Sequence, residues 1–289
     1  GLAVPVAQKF GAKSYSEMRK FVMNAAYLAI FLAVIMTIVT CALCGSILTW
    51  MKTPNQFYQG AYDYLFVIFL GIPFTFLYNV VAGIIRSLGD SKTPFYFLVL
   101  SAVMNIFLDM LFIIVFKLGT AGAGWATILS QAISGVLCFR YMKKKYDILK
   151  TNSQERRLDM HYIKTLFTMA VPMGLQFSIT AIGSILLQSA VNTLGAVYVS
   201  AFAAATKVKQ LAMCPYDGFA TASATFGSQN LGAGNLKRIR EGLKSGIIIS
   251  VIYSIAIGIV LIFAGSKIAL IFVSGSETEV LGYAQQLLT

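Results

Sequence analysis

The sequence predicts an all-α fold: a polytopic bundle of transmembrane helices in two pseudo-symmetric lobes, incomplete at both ends. Three observations lead there. Of 289 residues, 57% are hydrophobic and 12% charged, with a mean hydropathy of +0.75, whereas soluble domains carry about 25% charged residues. Apolar runs long enough to cross a bilayer, about 20 residues, recur between short polar breaks. Those breaks alternate between basic and nearly uncharged, the pattern that orients a membrane protein.

Dividing the chain at polar or Gly/Pro-rich breaks yields seven complete spans, roughly 21–50, 61–86, 94–117, 121–141, 163–193, 197–229 and 242–273, with a partial span at each end. The first lies between Arg19-Lys20 and Lys52. The second holds Pro73 and closes at Arg86, and the third runs outward from Pro94 to Lys117. The fourth starts outside near Ala121, and the fifth carries Pro172 close to its start. The sixth is interrupted by Pro215 and Gly218, which are expected to weaken the helix and free backbone groups in a protein-lined cavity. The seventh follows the basic run Lys237, Arg238, Arg240, Lys244. Several spans exceed the ~20 residues needed to cross, so tilt or extension beyond the bilayer is expected. From Val280 onward a further span has just begun, Gly1 to Phe10 lacks the features of a signal peptide, and the chain reads as a piece of something longer.

One side of the membrane receives eighteen Lys and Arg residues and the other three, Lys52, Lys117 and Lys267. The basic side is expected to be cytoplasmic. Net charge +12 is therefore read as topology and excludes a nucleic-acid partner, since the basic residues are interleaved with membrane-length apolar runs. Cys41, Cys44, Cys138 and Cys214 lie in apolar stretches and His161 is the sole histidine, which argues against a zinc or redox centre. Nucleophile elbows, Walker loops, His-Glu zinc motifs and paired intramembrane aspartates are absent, so an enzyme is not expected and no cofactor is implied. A channel's pore-lining repeat or charged ring is not evident either.

The stretch Tyr141–Asp159 is the one long polar segment and the natural hinge between lobes 1–146 and 161–289, with 147–160 as the inter-lobe loop. An internal echo flanks it: Gln8-Lys9-Phe10-Gly11-Ala12 with Arg19, and Gln229-Asn230-Leu231-Gly232-Ala233 with Arg240, each Arg eight residues after its Gly. Both copies end a span on the basic side, and both following spans lead into a polar external loop, Lys52 to Gly60 and Ser274 to Glu279. Repeats of like orientation imply halves related by an axis along the membrane normal.

The candidate site centres on Asp109, in the run Asn105-Ile106-Phe107-Leu108-Asp109-Met110-Leu111. A carboxylate at lipid depth costs several kcal/mol unless partnered, so it marks a functional site by default. Asn105 lies one helical turn away on the same face. Asp109 falls about 22 Å along a span that starts at Pro94, and Thr127 about 9 Å into the antiparallel one, at a similar depth. Carboxylate, amide oxygen and hydroxyl are hard ligands suited to Na⁺ or a shared proton. Asp217 either lines a cation path or pairs with a basic side chain. Gln176 faces a cavity or packs between helices, and Pro73 and Pro172 mark either bends that move during transport or routine kinks of membrane helices.

These residues resemble a known family. Gln8-x-x-Gly11-Ala12 and Gln229-x-x-Gly232-Ala233, Gly83-x-x-Arg86-x-x-Gly89-Asp90-Ser91-Lys92-x-Pro94, Asn105-x-x-x-Asp109, Gly122-x-Gly124-x-Ala126-Thr127 and Val171-Pro172 are similar to motifs of the multidrug and toxic compound extrusion (MATE) transporters, in the branch with DNA-damage-inducible efflux proteins. The resemblance implies twelve spans in two six-helix lobes, of which this chain covers the end of the second through the start of the tenth. It implies that Asn105, Asp109 and Thr127, with Tyr64, form a cation or proton site whose other carboxylate lies in the first span; Asp217, Gln176 and Pro172 are candidates for a substrate path on the reading of the residues themselves. Where some relatives carry an acid early in the seventh span, Thr180 or Ala181 stands here, which favours coupling through the first lobe. The implied activity is export of an organic cation or amphiphile by a monomer, in exchange for Na⁺ or H⁺, by alternating access. The alternatives are a lipid-linked precursor flippase of the same superfamily, which calls for a ring of Arg or Lys around its cavity, and a non-transporting membrane scaffold.

Overall fold

With no water at bilayer depth, backbone polar groups must pair within their own segment, and a chain this apolar has helices as its solution. The computed structural model describes residues 1–51, 53, 55–270 and 278–288, and within them every regular element is helical. Lys52 and most of the external loop Ser274–Glu279 lie outside the described residues. The helices are α1 (Ala3–Gly11), α2 (Tyr15–Ala42), α3 (Cys44–Trp50), α4 (Asn55–Leu70), α5 (Ile72–Ser87), α6 (Lys92–Asp109), α7 (Gly119–Lys145), α8 (Met160–Val191), α9 (Ala196–Gly232), α10 (Leu236–Ala269) and α11 (Thr278–Leu288). A π-helical turn, Met110–Val115, follows α6, and a 3₁₀ turn, Asp147–Leu149, follows α7.

Among the described residues, five stretches are long and apolar enough to cross a membrane: Tyr15–Ala42, Lys92–Val115, Gly119–Lys145, Met160–Leu194 and Leu236–Gly265. A sixth is the pair α4 and α5, bent by 44° at Gly71. Pro73 explains where that bend sits, because its missing N–H leaves the Phe69 carbonyl without its helical donor. The predicted first span, 21–50, gives way at Leu43 to the short α3. The predicted span 197–229 is helical throughout as α9, and its 37 residues suffice to cross, but Lys207, Lys209, Gln210 and Asp217 keep it below the apolarity of the others. Pro215 lies inside α9 without ending it, and Pro172 likewise inside α8. Neither proline breaks its helix, unlike Pro73.

Two compact units result, Gly1–Met169 and Ala170–Thr289. In the first, the dense core lies at the end of the helices nearest the basic loops, where Met18 and Phe21 of α2, Ile85 of α5, Met142 of α7 and Tyr162 and Leu166 of α8 pack together. Because Tyr162 and Leu166 are anchored there, the units part inside α8, at Met169 and Ala170, and not at the polar loop 147–160 where the sequence suggests the division. Outside that core, large side chains such as Ile38 and Phe107 are more than 60% exposed, as a lipid-facing surface requires. In the second unit, Ala201, Ala204, Ala205 and Val208 of α9 pack against Val280 and Ala284 of α11.

Small residues let α7 approach its neighbours. A Cβ on Gly124 would stand 2.9 Å from Val67 Cγ1 and 3.3 Å from the Tyr64 carbonyl oxygen, and one on Gly71 would collide with Ile128. Gly124→Ala is therefore expected to lower stability by roughly 1–3 kcal/mol through overpacking, read as a lower Tm in detergent micelles; an unchanged Tm would show that α4 can give way.

The internal echo recurs in the backbone. After α1 the amides of Ala12, Lys13 and Ser14 donate to the carbonyls of Gln8, Phe10 and Lys9; after α9 those of Ala233, Gly234 and Asn235 donate to Gln229, Leu231 and Asn230. Lys13 (φ 56°) and Gly234 (φ 72°) hold the same left-handed position. Two stretches of low sequence identity thus build one helix-ending cap, in which left-handed backbone satisfies the last carbonyls.

Candidate functional site

The site in the first unit is built by α6 and α7. Helical spacing stacks Asn105 and Asp109 one turn apart, and Asp109 is the last residue of α6 before the π-helical turn. Such widened turns are frequent at functional sites because they release backbone groups from the regular ladder. Asn105 Nδ2 donates to Thr127 Oγ1 at 3.4 Å, and Thr127 Oγ1 donates to the Ala123 carbonyl at 3.0 Å. With its amide nitrogen so engaged, Asn105 has its amide oxygen to offer as an acceptor. Asp109 Oδ1 is buried and has no hydrogen-bond partner. A buried oxygen without a partner costs free energy, and a bound cation or proton would remove that cost.

The structure thus brings Asn105 and Thr127 into contact and sets Asp109 one turn from them. Tyr64 stands on α4, 38% exposed, with its backbone close against Gly124 of α7, and no hydrogen bond joins its hydroxyl to the other three among the described residues. In the second unit Pro172 and Gln176 are exposed on α8, and Asp217 is exposed on α9, where its carbonyl accepts from Thr221. No group of His, Cys, Asp and Glu with metal-ligand geometry occurs among the described residues.

Sequence reading missed a second polar layer beside the bend at Gly71. Thr75 of α5 donates to the Gln131 side-chain oxygen of α7, and Asn79 Nδ2 donates to the Thr75 carbonyl at 2.8 Å. The signal was present: Gln131 follows Thr127 by one turn, on the same face of α7, about 6 Å further along the axis. It also missed the role of Asp90. Gly89 turns the chain at φ 91°, and Asp90 then accepts from Thr93 N (3.0 Å), Thr93 Oγ1 (2.7 Å), Tyr146 Oη (2.6 Å) and Lys145 Nζ (3.4 Å). Burial would raise the Asp90 carboxyl, but these donors outweigh it and hold it far below the usual carboxylate range. Burial and Asp90 together push the Tyr146 phenol up to about 12. This network ties the α5–α6 turn to the end of α7, and so fixes the start of the helix that carries Asn105 and Asp109.

The family model MatE matches residues 1–111 and 172–289, which include Asn105 and Asp109 and both copies of the echo. The chain belongs to the MatE family. Among curated MatE relatives, "Probable multidrug resistance protein YoeA" of Bacillus subtilis (strain 168) is 26% identical over 296 residues, covering 100% of this chain and 64% of the relative. "Probable multidrug resistance protein YpnP" of the same organism is 36% identical over 193 residues, covering 67% and 43%. This chain spans less than two thirds of the length of either. A solved structure, titled as the outward-facing conformation of a multidrug resistance MATE family transporter of the MOP superfamily, superposes with TM-score 0.92 at 23% identity, over 100% of this chain and 64% of that one. At that identity the likeness establishes the fold. This MatE chain is accordingly a multi-pass membrane protein with a transporter's helical architecture.

Proposed function

We propose that the protein exports organic cations or amphiphilic drugs in exchange for Na⁺ or H⁺, as a monomer in a bacterial inner membrane with its basic loops in the cytoplasm. The reading rests above all on Asp109, whose buried oxygen lacks a partner one turn from the Asn105–Thr127 pair. The carboxylate takes the coupling ion, the Asn105 amide oxygen and Thr127 hydroxyl supply neutral oxygens, and Tyr64 borders the site from α4. Pro172, Gln176 and Asp217 line the substrate path in the second unit. Coupling follows if the ion binds the outward- and inward-facing states unequally, since only differential affinity can move that equilibrium. Multidrug resistance names among the relatives and the shared fold support this reading over that of an enzyme or a scaffold.

The test is transport by the whole natural protein in liposomes, with ethidium and norfloxacin as substrates under an imposed Na⁺ gradient or an imposed pH gradient. One of the two gradients is expected to drive both substrates out, and so to identify the ion. If neither gradient moves either substrate, the proposal falls.

A further inference from the structure

The polar segment between α7 and α8 looks in sequence like a free hinge, and a connection of its length normally runs loosely over the surface. Its contacts are of another kind. Glu155, at its centre, is only 2% exposed, and it is the one acidic residue buried to that degree among the described residues. Its Oε1 accepts from Arg19 Nη2 (2.6 Å) and Ser16 Oγ (2.8 Å), and its Oε2 from Arg19 Nε (2.8 Å) and Asn152 N (3.0 Å). Two-pronged Arg–carboxylate pairing of this sort is both strong and geometrically specific. Arg19 Nη1 also donates to the Ile148 carbonyl at 3.3 Å.

Further along α2 the fastening continues. Asn24, fully buried, accepts from Asp159 N at 2.9 Å and donates to the Arg157 carbonyl at 3.3 Å, and Tyr27 Oη donates to the Arg156 carbonyl at 2.8 Å. Positions 16, 19, 24 and 27 therefore grip the segment along roughly 16 Å of one face of α2. The second copy of the internal echo offers a contrast: Arg240, the counterpart of Arg19, stands exposed.

We infer that residues 147–159 are a strap fastened to α2 through Glu155, Asn24 and Tyr27, moving with the first unit as one body, so that any bending between the units is taken up in α8 beyond Leu166, at Pro172. Tyr162 and Leu166 anchor the start of α8 in the first-unit core. Beyond them, Pro172 deprives the Thr168 carbonyl of its helical donor. A missing backbone bond is where a helix yields first. The fastening stands on geometry alone; the placement of the bend rests on the alternating-access reading.

The experiment measures two spin-label distances in the whole natural protein, with its native cysteines replaced. One pair, Tyr15→Cys with Gln154→Cys, spans α2 and the strap; the other, Gln154→Cys with Ile179→Cys, spans the strap and α8 beyond Pro172. On switching the imposed ion gradient, the first distance is expected to stay fixed while the second shifts. A first distance that moves as much as the second overturns the strap, and if neither moves, the bend at Pro172 falls together with the alternating-access reading. Amide exchange then judges the fastening separately. Glu155→Gln should speed exchange across 152–159 by about tenfold or more, and unchanged exchange overturns it whatever the transport result.

Discussion

Asp109→Asn in the whole natural protein is expected to reduce ion-driven efflux of ethidium and norfloxacin to the level of a vector control, while expression is retained and Tm stays unchanged or rises. The two halves of that result have one cause. Asn keeps the size and hydrogen-bonding shape of the side chain but cannot carry the charge that a coupling ion neutralises, so the ion no longer favours one state over the other. In the folded chain the Asp109 oxygen is buried without a partner, and removing a charge at lipid depth relieves a cost of several kcal/mol. A residue kept for packing would behave in the opposite way, losing stability on substitution while the remaining folded molecules still transport. Efflux that survives with its ion dependence intact would sink the coupling role. Asn105→Ala and Thr127→Val should weaken ion affinity without abolishing coupling, because each supplies a neutral oxygen.

The second large effect concerns Arg19. Arg19→Ala leaves the Glu155 carboxylate, whose side chain is 3% exposed, with only the Ser16 hydroxyl and the Asn152 amide. Breaking a buried ion pair from one side typically costs about 3–5 kcal/mol, and the 21% exposure of the Arg19 side chain places this case near about 3 kcal/mol. Thermal unfolding in detergent micelles measures it, and a loss below about 1 kcal/mol would show the pair to be ornamental. The pH dependence gives an independent check. The hydrogen bond from Arg19, outweighing burial, holds the Glu155 carboxyl at about 2, against an ordinary value of 4.5. Because the folded value is depressed, the unfolded chain takes up the proton first. Stability present above about pH 4.5 is therefore lost progressively as pH falls toward 2. In Arg19→Ala that acid sensitivity should shrink, since the unfolded and folded carboxyls then titrate closer together.

Much of the fold is legible because the bilayer leaves little choice. Apolar length locates the helices and Lys/Arg asymmetry orders their loops, so six of the seven sequence-derived spans reappear as membrane-length segments, one of them as the bent pair. Less legible are features set by contact. Pro73, Pro172 and Pro215 carry the same local signal, yet only the first coincides with a helix break, at Gly71, where α4 and α5 both pack against α7. Asp109 stands out in sequence as an expensive charge, and Asn105 and Thr127 follow from helical rise. The Thr75–Gln131 layer does not, since it joins residues 56 positions apart.

The sequence by itself determined the helical class, the internal echo around Gly11 and Gly232, the likeness to a transporter family and the singling out of Asp109 as an expensive charge, because each depends on composition, local periodicity or a short motif. Only the tertiary structure decided that the polar segment before α8 is fastened, not free, and that the units part inside that helix. A charged segment reads as solvated until its partners are known, and Arg19 and Glu155 are 136 residues apart.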